Sequence, residues 1–159
     1  MDHELKIYLE KYNINFIEHK HLAVFTVEES KKIKLNYTGA HTKSLFLKDE
    51  NSKFYLICMA GEKRLNIKFL KSYLNVKDLQ FASSDELKRV LNITPGSVSI
   101  FCLINTTKRV HLIIDKQIWN EKTVGFHPNV NTATLEISHK NLEKFYNSLN
   151  IEKEIIDFN

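Results

Sequence analysis

The spacing of apolar residues and of capping residues predicts helices in five parts of the chain. Leu5, Leu9 and Tyr12 recur every three or four positions, as they do on one face of a helix. A serine or threonine followed three residues later by glutamate can satisfy two backbone amides that the first turn leaves unpaired. One predicted helix covers residues 2 to 12, and another lies around residues 64 to 74. Two more begin at capping pairs, Thr26 with Glu29 in "TVEESKKI" and Ser83 with Glu86 in "SSDELKRVL". The fifth follows Ser138 in "HKNLEKFYNSL".

Shorter runs rich in β-branched and aromatic residues predict strands between these helices. The runs are "NFIEH", "TKSLFLK", "KFYLICMA", "VSIFCLI", "RVHLIID" and "TATLEIS", with a short strand expected at Leu79 to Phe81. Short polar links join residues 43–48 to 53–59 and residues 98–104 to 109–115, so each pair is expected to form a hairpin. The helices interrupt the strands without the regular alternation of a parallel fold. The pattern therefore predicts an α/β protein of the α+β type, with a mixed, mostly antiparallel, barrel-like sheet flanked by helices.

Length and composition favour a single domain over residues 1–159. A chain of 159 residues that is 43% hydrophobic can bury a sizeable core without disulfides. Its apolar runs are far shorter than the roughly 20 residues of a membrane-spanning helix. The first residues, "MDHELKIYLEKY", carry charge throughout and lack the apolar region of a secretory signal peptide. We therefore expect a cytoplasmic protein.

The charge is unevenly distributed along the chain. The net charge is +4, but residues 31 to 77 contain eleven Lys or Arg and three acidic residues, a local balance of +8. This asymmetry favours an anionic partner, with nucleic-acid phosphates the first candidate. The alternative is a general enrichment in lysine, with solvated side chains that need no partner.

The cysteines and histidines give little sign of nucleophilic or metal chemistry. Cys58 and Cys102 lie in apolar runs, where cysteine usually behaves as a small buried hydrophobe. His19 and His21 would share one face of a strand, yet no Cys or acidic cluster at ligand spacing accompanies them, so a metal site is not expected. A Ser-His-Asp arrangement does not stand out either.

Glycine and proline are scarce, which makes their positions informative. The chain has four glycines and two prolines. Pro95 and Gly96 precede one predicted strand, and Gly125 and Pro128 precede another. These residues restrict or free the backbone, so two shaped loops could flank one pocket. Ordinary turn formation explains each loop equally well.

Four segments, in this order and spacing, resemble the family of YbaK and prolyl-tRNA-synthetase-associated editing domains. They are "HTKSLFLKD", "KRLNIKFL", "LNITPGSVSIFCLINTTKRVHLIID" and "FHPNVNTATLEIS". The resemblance runs from about residue 14 to residue 148 and is nearest to the freestanding branch that deacylates alanyl-tRNA(Pro). It implies a barrel-like mixed sheet flanked by helices. It also implies hydrolysis of the ester between a wrongly attached amino acid and the terminal adenosine of tRNA, with no metal or organic cofactor.

The resemblance assigns roles to individual residues. Lys43 matches the essential lysine of the family, which implies that it holds a terminal phosphate or the ester region. His127, in "FHP", matches the active-site histidine and is implied to position or confine the amino-acid moiety. Gly96 begins the family's G-x-x-x-P motif, whose backbone lines the site. The other positions implied to contact substrate are Thr42, Ser44, Ser97, Val98, Ser99, Ile100, Phe126, Pro128, Asn129 and Thr132.

Two positions depart from the family pattern. Ile100 stands where the motif has proline, which would leave the loop less rigid, and Ser44 stands where asparagine is common. Three functions therefore remain open: an alanyl-tRNA(Pro) deacylase, a cysteinyl-tRNA(Pro) deacylase, and a non-catalytic module that binds tRNA or a synthetase. The expected partners are the acceptor end of mischarged tRNA(Pro) and prolyl-tRNA synthetase. Since backbone amides can stabilise an oxyanion and water can attack the ester, we expect no covalent enzyme intermediate.

Overall fold

The computed structural model describes residues 1–23 and 39–158. Within these ranges, the helices are α1 His3–Lys11, α2 Ile67–Leu74, α3 Ser84–Leu91, α4 Lys116–Trp119 and α5 His139–Ser148, with a 3₁₀ helix over Ile100–Asn105. The strands are β1 Ile17–Lys20, β2 Ala40–Asp49, β3 Phe54–Ala60, β4 Leu79–Phe81, β5 Val110–Asp115, β6 Thr123–Phe126, β7 Ala133–Ser138 and β8 Lys153–Ile156. None of the helices in the described part of the chain is long and apolar enough to span a bilayer.

The helix starts follow from the capping residues. The Ser83 hydroxyl accepts a hydrogen bond from the Glu86 amide at 3.2 Å, and the Glu86 carboxylate accepts one from the Ser83 amide at 3.0 Å. This pair completes the predicted capping box of α3. The Ser138 hydroxyl likewise caps α5 by accepting from the Asn141 amide. These predictions are confirmed, whereas the helix predicted in "TVEESKKI" lies outside the described residues.

The eight described strands form one mixed sheet. Its order is β1-β7-β6-β2-β3-β5-β8, and β4 pairs with β2 off this path. Four pairings are antiparallel, namely β1 with β7, β6 with β7, β2 with β3 and β2 with β4. Three are parallel, namely β2 with β6, β3 with β5 and β5 with β8. The predicted mixed sheet flanked by helices is confirmed.

The prediction of a strand in "VSIFCLI" is wrong, because this segment contains the 3₁₀ helix Ile100–Asn105. The Ser99 hydroxyl accepts from the Phe101 amide, and the Ser99 carbonyl accepts from the Cys102 amide at 3.1 Å. A continuous apolar run fits a buried strand or a buried helical turn equally well. The hydrogen bonds of Ser99 therefore determine that this segment is helical. The predicted hairpin of residues 98–104 with 109–115 is wrong for the same reason. Strand β5 instead lies between β3 and β8 and pairs in parallel with both.

Side chains on the two faces of the sheet belong to different apolar clusters. Phe46 on β2 packs in the larger cluster with α1, α3, α5 and the 3₁₀ helix, and we call this side the main-core face. Leu47 belongs to a smaller cluster with Leu70 of α2, and we call this side the second face. Because successive strand residues point to opposite faces, the alternation along β2 assigns each of its residues to one side.

Candidate functional site

The alternation of β2 directs Lys43 to the second face. Leu45 and Leu47, two and four residues further on, pack against the smaller cluster of that face. The cross-strand partner of Lys43 is Met59, which belongs to the same cluster. Paired residues on neighbouring strands share a face, so both observations give the same side for Lys43.

His127 lies directly after β6 on the same face. Val124 and Phe126 are buried in the main core, so the intervening Gly125 and the following His127 point to the second face. The ring of His21, which contacts that of His127, is on this side as well. Gly125 carries no side chain. At this position β6 therefore places only backbone between His41 and Glu136, the residues paired with Gly125 on either side.

The register of β2 with β6 brings the segments that carry Lys43 and His127 side by side. His41 pairs with Gly125 in parallel, and two further residues along each chain are Lys43 and His127. Adjacent strands lie about 4.8 Å apart, so a continuation of this register past the end of β6 would make Lys43 and His127 neighbours. Two residues that are far apart in sequence are thus presented by adjoining segments.

Lys43 is half-buried, and its surroundings favour a ligand. Burial lowers the pKa of its ammonium, because a charged amine is poorly solvated there. Among residues 1–23 and 39–158, none forms a hydrogen bond or an ion pair with this ammonium. A partly desolvated cation without an internal partner is suited to an anionic or strongly polar group of a substrate.

The orientation of the His127 ring is fixed by a backbone acceptor. Its Nδ1 lies 3.1 Å from the carbonyl oxygen of Ala133. A carbonyl only accepts, so Nδ1 carries the proton and Nε2 of the neutral ring has a free lone pair. Burial lowers the pKa of His127, and proximity to His21 lowers it further, although the Ala133 bond opposes this. His127 is therefore neutral at pH 7 and offers an acceptor.

Ser99 ties the loop that contains Gly96 to His127. Its hydroxyl donates to the His127 carbonyl at 2.6 Å and accepts from the Phe101 amide at 3.1 Å. The Ser99 side chain is only 2% exposed. The two loops rich in Gly and Pro are thus in direct contact.

Gly96 itself forms part of a tight turn. The Ser97 amide donates to the Thr94 carbonyl at 3.2 Å, and Gly96 has a φ of 88°. Proline followed by a glycine of positive φ is the pattern of a type II turn. Pro95 therefore restricts this loop five residues before the fully buried Ile100.

Other residues predicted to contact the substrate lie on the main-core face or pack within the main core. The Thr42 hydroxyl donates to the Gly125 carbonyl at 2.7 Å, and Ser44 forms a hydrogen bond with the Cys58 thiol. Three further members pack in the main core: Val98, Ile100 and Phe126. Their substrate contacts remain predictions. In the structure, these residues support the strands and loops that carry Lys43 and His127.

Comparison with known proteins identifies the family. The family model described as "Aminoacyl-tRNA editing domain" matches residues 21–145. The chain belongs to this family. It is 34% identical to the prolyl-tRNA editing protein ProX of Acetoanaerobium sticklandii over 138 residues, 86% of this chain and 84% of that protein. It is 30% identical to the prolyl-tRNA synthetase associated domain-containing protein 1 of Xenopus laevis, covering 98% of this chain and 95% of that protein.

A solved structure gives the same fold. The crystal structure of a candidate trans-editing enzyme for prolyl-tRNA synthetase superposes with a TM-score of 0.75 at 16% identity, covering 99% of this chain and 97% of that one. At this identity the likeness concerns the fold alone. Taken with the family match, the predicted family and the predicted activity of an aminoacyl-tRNA editing deacylase are confirmed.

The remaining predicted residues of the editing domain lie at the end of the His127 loop. Pro128 is buried and its carbonyl accepts from the Asp2 amide, and Thr132 is exposed. Asn129 has a positive φ of 62°, and neither polar atom of its amide has a hydrogen-bond partner among the described residues. Asn129 lines a cavity of about 380 Å³ whose other walls are Asp2, His3, Glu4, Asn92, Ile93 and Asn105.

The cysteines of the editing domain are free and buried, as expected for small hydrophobes. Burial raises the pKa of Cys58, and it raises that of Cys102 to about 12. Since the thiolate is the nucleophilic form, these values disfavour a role in catalysis. In the described part of the chain, no three His, Cys, Asp or Glu side chains are grouped so as to hold a metal ion.

We expect Ser99→Ala to loosen the contact between the two loops. The change leaves the His127 carbonyl without its donor, which should lower the free energy of unfolding by about 1–3 kcal/mol. Urea unfolding of the variant and the parent measures this difference. Ser97→Ala is the matched control, because Ser97 is buried in the same loop and its hydroxyl bonds to none of the described residues. Equal losses in the two variants would mean that the Ser99 bond contributes nothing specific.

Proposed function

We propose that this editing domain hydrolyses the ester of alanyl-tRNA(Pro), releasing alanine and intact tRNA(Pro). The similarity to ProX, a prolyl-tRNA editing protein, supports tRNA(Pro) as the carrier. The single structural observation that supports a catalytic site is the β2–β6 register, which places the segments of Lys43 and His127 side by side. A neutral acceptor on the same face as a cation that has no partner among the described residues is an arrangement that a purely structural surface does not require.

The reaction needs only positioned groups and water. The oxygen of a water molecule attacks the ester carbonyl carbon, and a tetrahedral intermediate forms with a negative oxygen. The bond from that carbon to the ribose oxygen then breaks, and the ribose oxygen takes up the proton that the attacking water gives up. An aminoacyl ester is more reactive than an amide, so donors for the oxyanion and a well-placed water suffice.

Lys43 is proposed to bind the substrate through its ammonium. The group contacts either a phosphate of the terminal nucleotides or the ester oxygens, by charge-assisted hydrogen bonds. Its half-buried position strengthens such a bond, because less water competes for it. Lys43 thereby orients the ester next to the His127 ring.

His127 is proposed to bound the space for the amino-acid side chain. Its Nδ1 is held by Ala133, so the Nε2 edge of the ring is directed away from that bond and can accept from the substrate amine or from water. The neutral ring also avoids repulsion with a positively charged α-amino group. A ring fixed in this way favours alanine over larger residues by limiting room.

Helix α2 is the proposed surface for the tRNA backbone. Three basic residues of the segment 31–77 form ion pairs within the protein, Lys48 with Glu86, Lys53 with Glu152 and Lys63 with Asp115. Arg64, just before α2, and Lys68, within α2, are exposed instead. Because α2 covers the second face, these charges lie on the side that presents Lys43. Lys31, Lys32 and Lys34 lie outside the described residues.

The proposed partner and the proposed location follow from this substrate. Prolyl-tRNA synthetase is a proposed partner, since it is the enzyme that charges tRNA(Pro). The cytoplasm is the proposed location because aminoacyl-tRNA is used there, and a single editing domain over residues 1–159 remains a prediction.

Replacing Lys43 tests the proposed function directly. Lys43→Ala should reduce hydrolysis of alanyl-tRNA(Pro) at least about 100-fold, because one electrostatic contact in a preorganised site contributes that much. The melting temperature should change little, since the residue is not in a core. Deacylation assays with Ala-, Cys-, Ser- and Pro-tRNA(Pro) measure rate and specificity together.

Lys48→Ala is the control for this experiment, because Lys48 lies on the same strand but on the main-core face. It should retain hydrolysis. Full activity of Lys43→Ala would refute the assignment. Hydrolysis of Cys-tRNA(Pro) alone would favour a cysteinyl-tRNA(Pro) deacylase, and inactivity of the parent toward all four would favour a binding module.

Replacing His127 should alter specificity more than it abolishes activity. His127→Ala removes one wall, so we expect hydrolysis of Ala-tRNA(Pro) to fall about tenfold while that of Ser- and Cys-tRNA(Pro) falls less or rises. The ratio of kcat/KM values between these substrates is the measurement. A uniform loss for all substrates would contradict a role in confining the side chain.

Binding of tRNA through α2 should depend on salt. Each phosphate contact releases counterions, so Lys68→Ala should reduce the slope of log Kd against log salt by about 1. Filter binding of uncharged tRNA(Pro) across salt concentrations measures the slope. Lys6→Ala removes the same charge from the exposed side of α1 and should leave the slope unchanged; identical slopes in all three proteins would exclude α2 as the contact surface.

A further inference from the structure

Three consecutive residues, where the chain enters β7, hold two histidines in place. The Thr132 carbonyl accepts from the His21 amide at 2.9 Å, and the Ala133 carbonyl lies 3.1 Å from Nδ1 of His127. The Thr134 hydroxyl lies 2.9 Å from Nε2 of His21. One strand end therefore fixes the positions of both rings.

The hydrogen bonds of His21 define the tautomer of its neutral ring. Its Nδ1 lies 2.7 Å from the Leu22 carbonyl, so Nδ1 carries the proton. In the neutral ring Nε2 is then an acceptor, and the Thr134 hydroxyl is its donor. Both ring nitrogens are engaged, which leaves His21 no polar atom for a substrate.

His21 also contacts the ring of His127. The two ring centroids lie 6.2 Å apart with an interplanar angle of 60°, an edge arrangement favoured by aromatic rings. The Ala133 bond fixes one corner of the His127 ring, and His21 packs against it as a second contact. A ring held at two places keeps its Nε2 edge in one direction.

We propose that His21, anchored by Thr134, is a positioning residue that orients His127 for deacylation. This inference rests on the proposed function of His127. His21 does not touch the substrate, and its effect passes through the neighbouring ring. A histidine in this place serves better than a phenylalanine because its two hydrogen bonds prevent the ring from turning.

The contact also affects the electrostatics of His127, because proximity to His21 contributes to the lowered pKa of His127. Thr134 is only 4% exposed, so the hydrogen bond between its hydroxyl and His21 is shielded from water.

The test compares Thr134→Val with Thr134→Ser. Valine has the shape of threonine without the hydroxyl, whereas serine retains it. We expect Thr134→Val to lower kcat for alanyl-tRNA(Pro) about tenfold with KM changed less than about twofold, because misalignment affects the reaction more than binding. Thr134→Ser should recover most of kcat. Equal losses in the two variants would overturn the proposal.

A double-mutant cycle provides the second measurement. His21→Phe retains a ring but loses both anchoring bonds, so it should lower kcat as Thr134→Val does. Combining the two changes should add little, because they remove the same anchor. Additive losses would mean that the residues act separately. His19→Ala is the control, since His19 is on the same face but is bonded to Glu136; a loss of kcat as large as that of His21→Phe would also refute a specific role.

Nuclear magnetic resonance of the free protein separates this inference from the proposed function. Long-range proton–nitrogen spectra should identify His127 as the neutral Nδ1–H form. They should also show shifted or broadened His127 ring signals in Thr134→Val and His21→Phe, but not in Thr134→Ser. Unchanged His127 signals would overturn the positioning role. If the parent protein does not hydrolyse alanyl-tRNA(Pro), the proposed function fails, while these spectra still decide whether His21 orients His127.

Discussion

Two residue pairs join β2 to β6 in parallel: Ala40 with Val124 and His41 with Gly125. This short pairing connects the antiparallel strands β1, β7 and β6 to the rest of the sheet. It requires close approach, because a Cβ on Gly39 would lie 2.7 Å from the Thr123 hydroxyl and 3.0 Å from its carbonyl oxygen. A slip of one residue would turn the β6 side chains to the opposite face, and Lys43 and His127 would no longer share a face. The site therefore depends on a junction that contains none of its functional side chains.

Much of the fold follows from local sequence signals, whereas the pairing of β2 with β6 does not. The capping residues Ser83 and Ser138 act within one helical turn, so the sequence contains all that determines those helix starts. The hairpin of β2 with β3 is also local, because a short turn joins strands with alternating patterns. By contrast, β6 has four residues and includes Gly125, and its partner β2 lies far away in sequence. The 3₁₀ helix was missed because an unbroken apolar run carries no period.

For the site, the sequence indicated residue types through resemblance but not their relative placement. Lys43 and His127 were expected from motifs, while the shared face came from strand alternation combined with long-range register. His21 was considered only as a metal ligand, since a pair of alternating histidines has no other recognisable pattern. Its hydrogen bonds to Leu22 and Thr134 depend on the pairing of β1 with β7, which no local pattern reveals. Polar networks formed across strands are therefore the part that requires coordinates.

The departure at Ile100 is explained by where rigidity originates in this loop. Ile100 is fully buried in the main core and begins a 3₁₀ helix, so packing restricts its backbone as a proline ring would. Pro95 fixes the preceding turn, and the Ser99 hydroxyl connects the loop to the His127 carbonyl. Burial, a restricted turn and one hydrogen bond together hold the loop without proline at position 100. A motif residue can thus change when neighbouring residues supply the same constraint, and the physical requirement is a fixed backbone rather than a particular side chain.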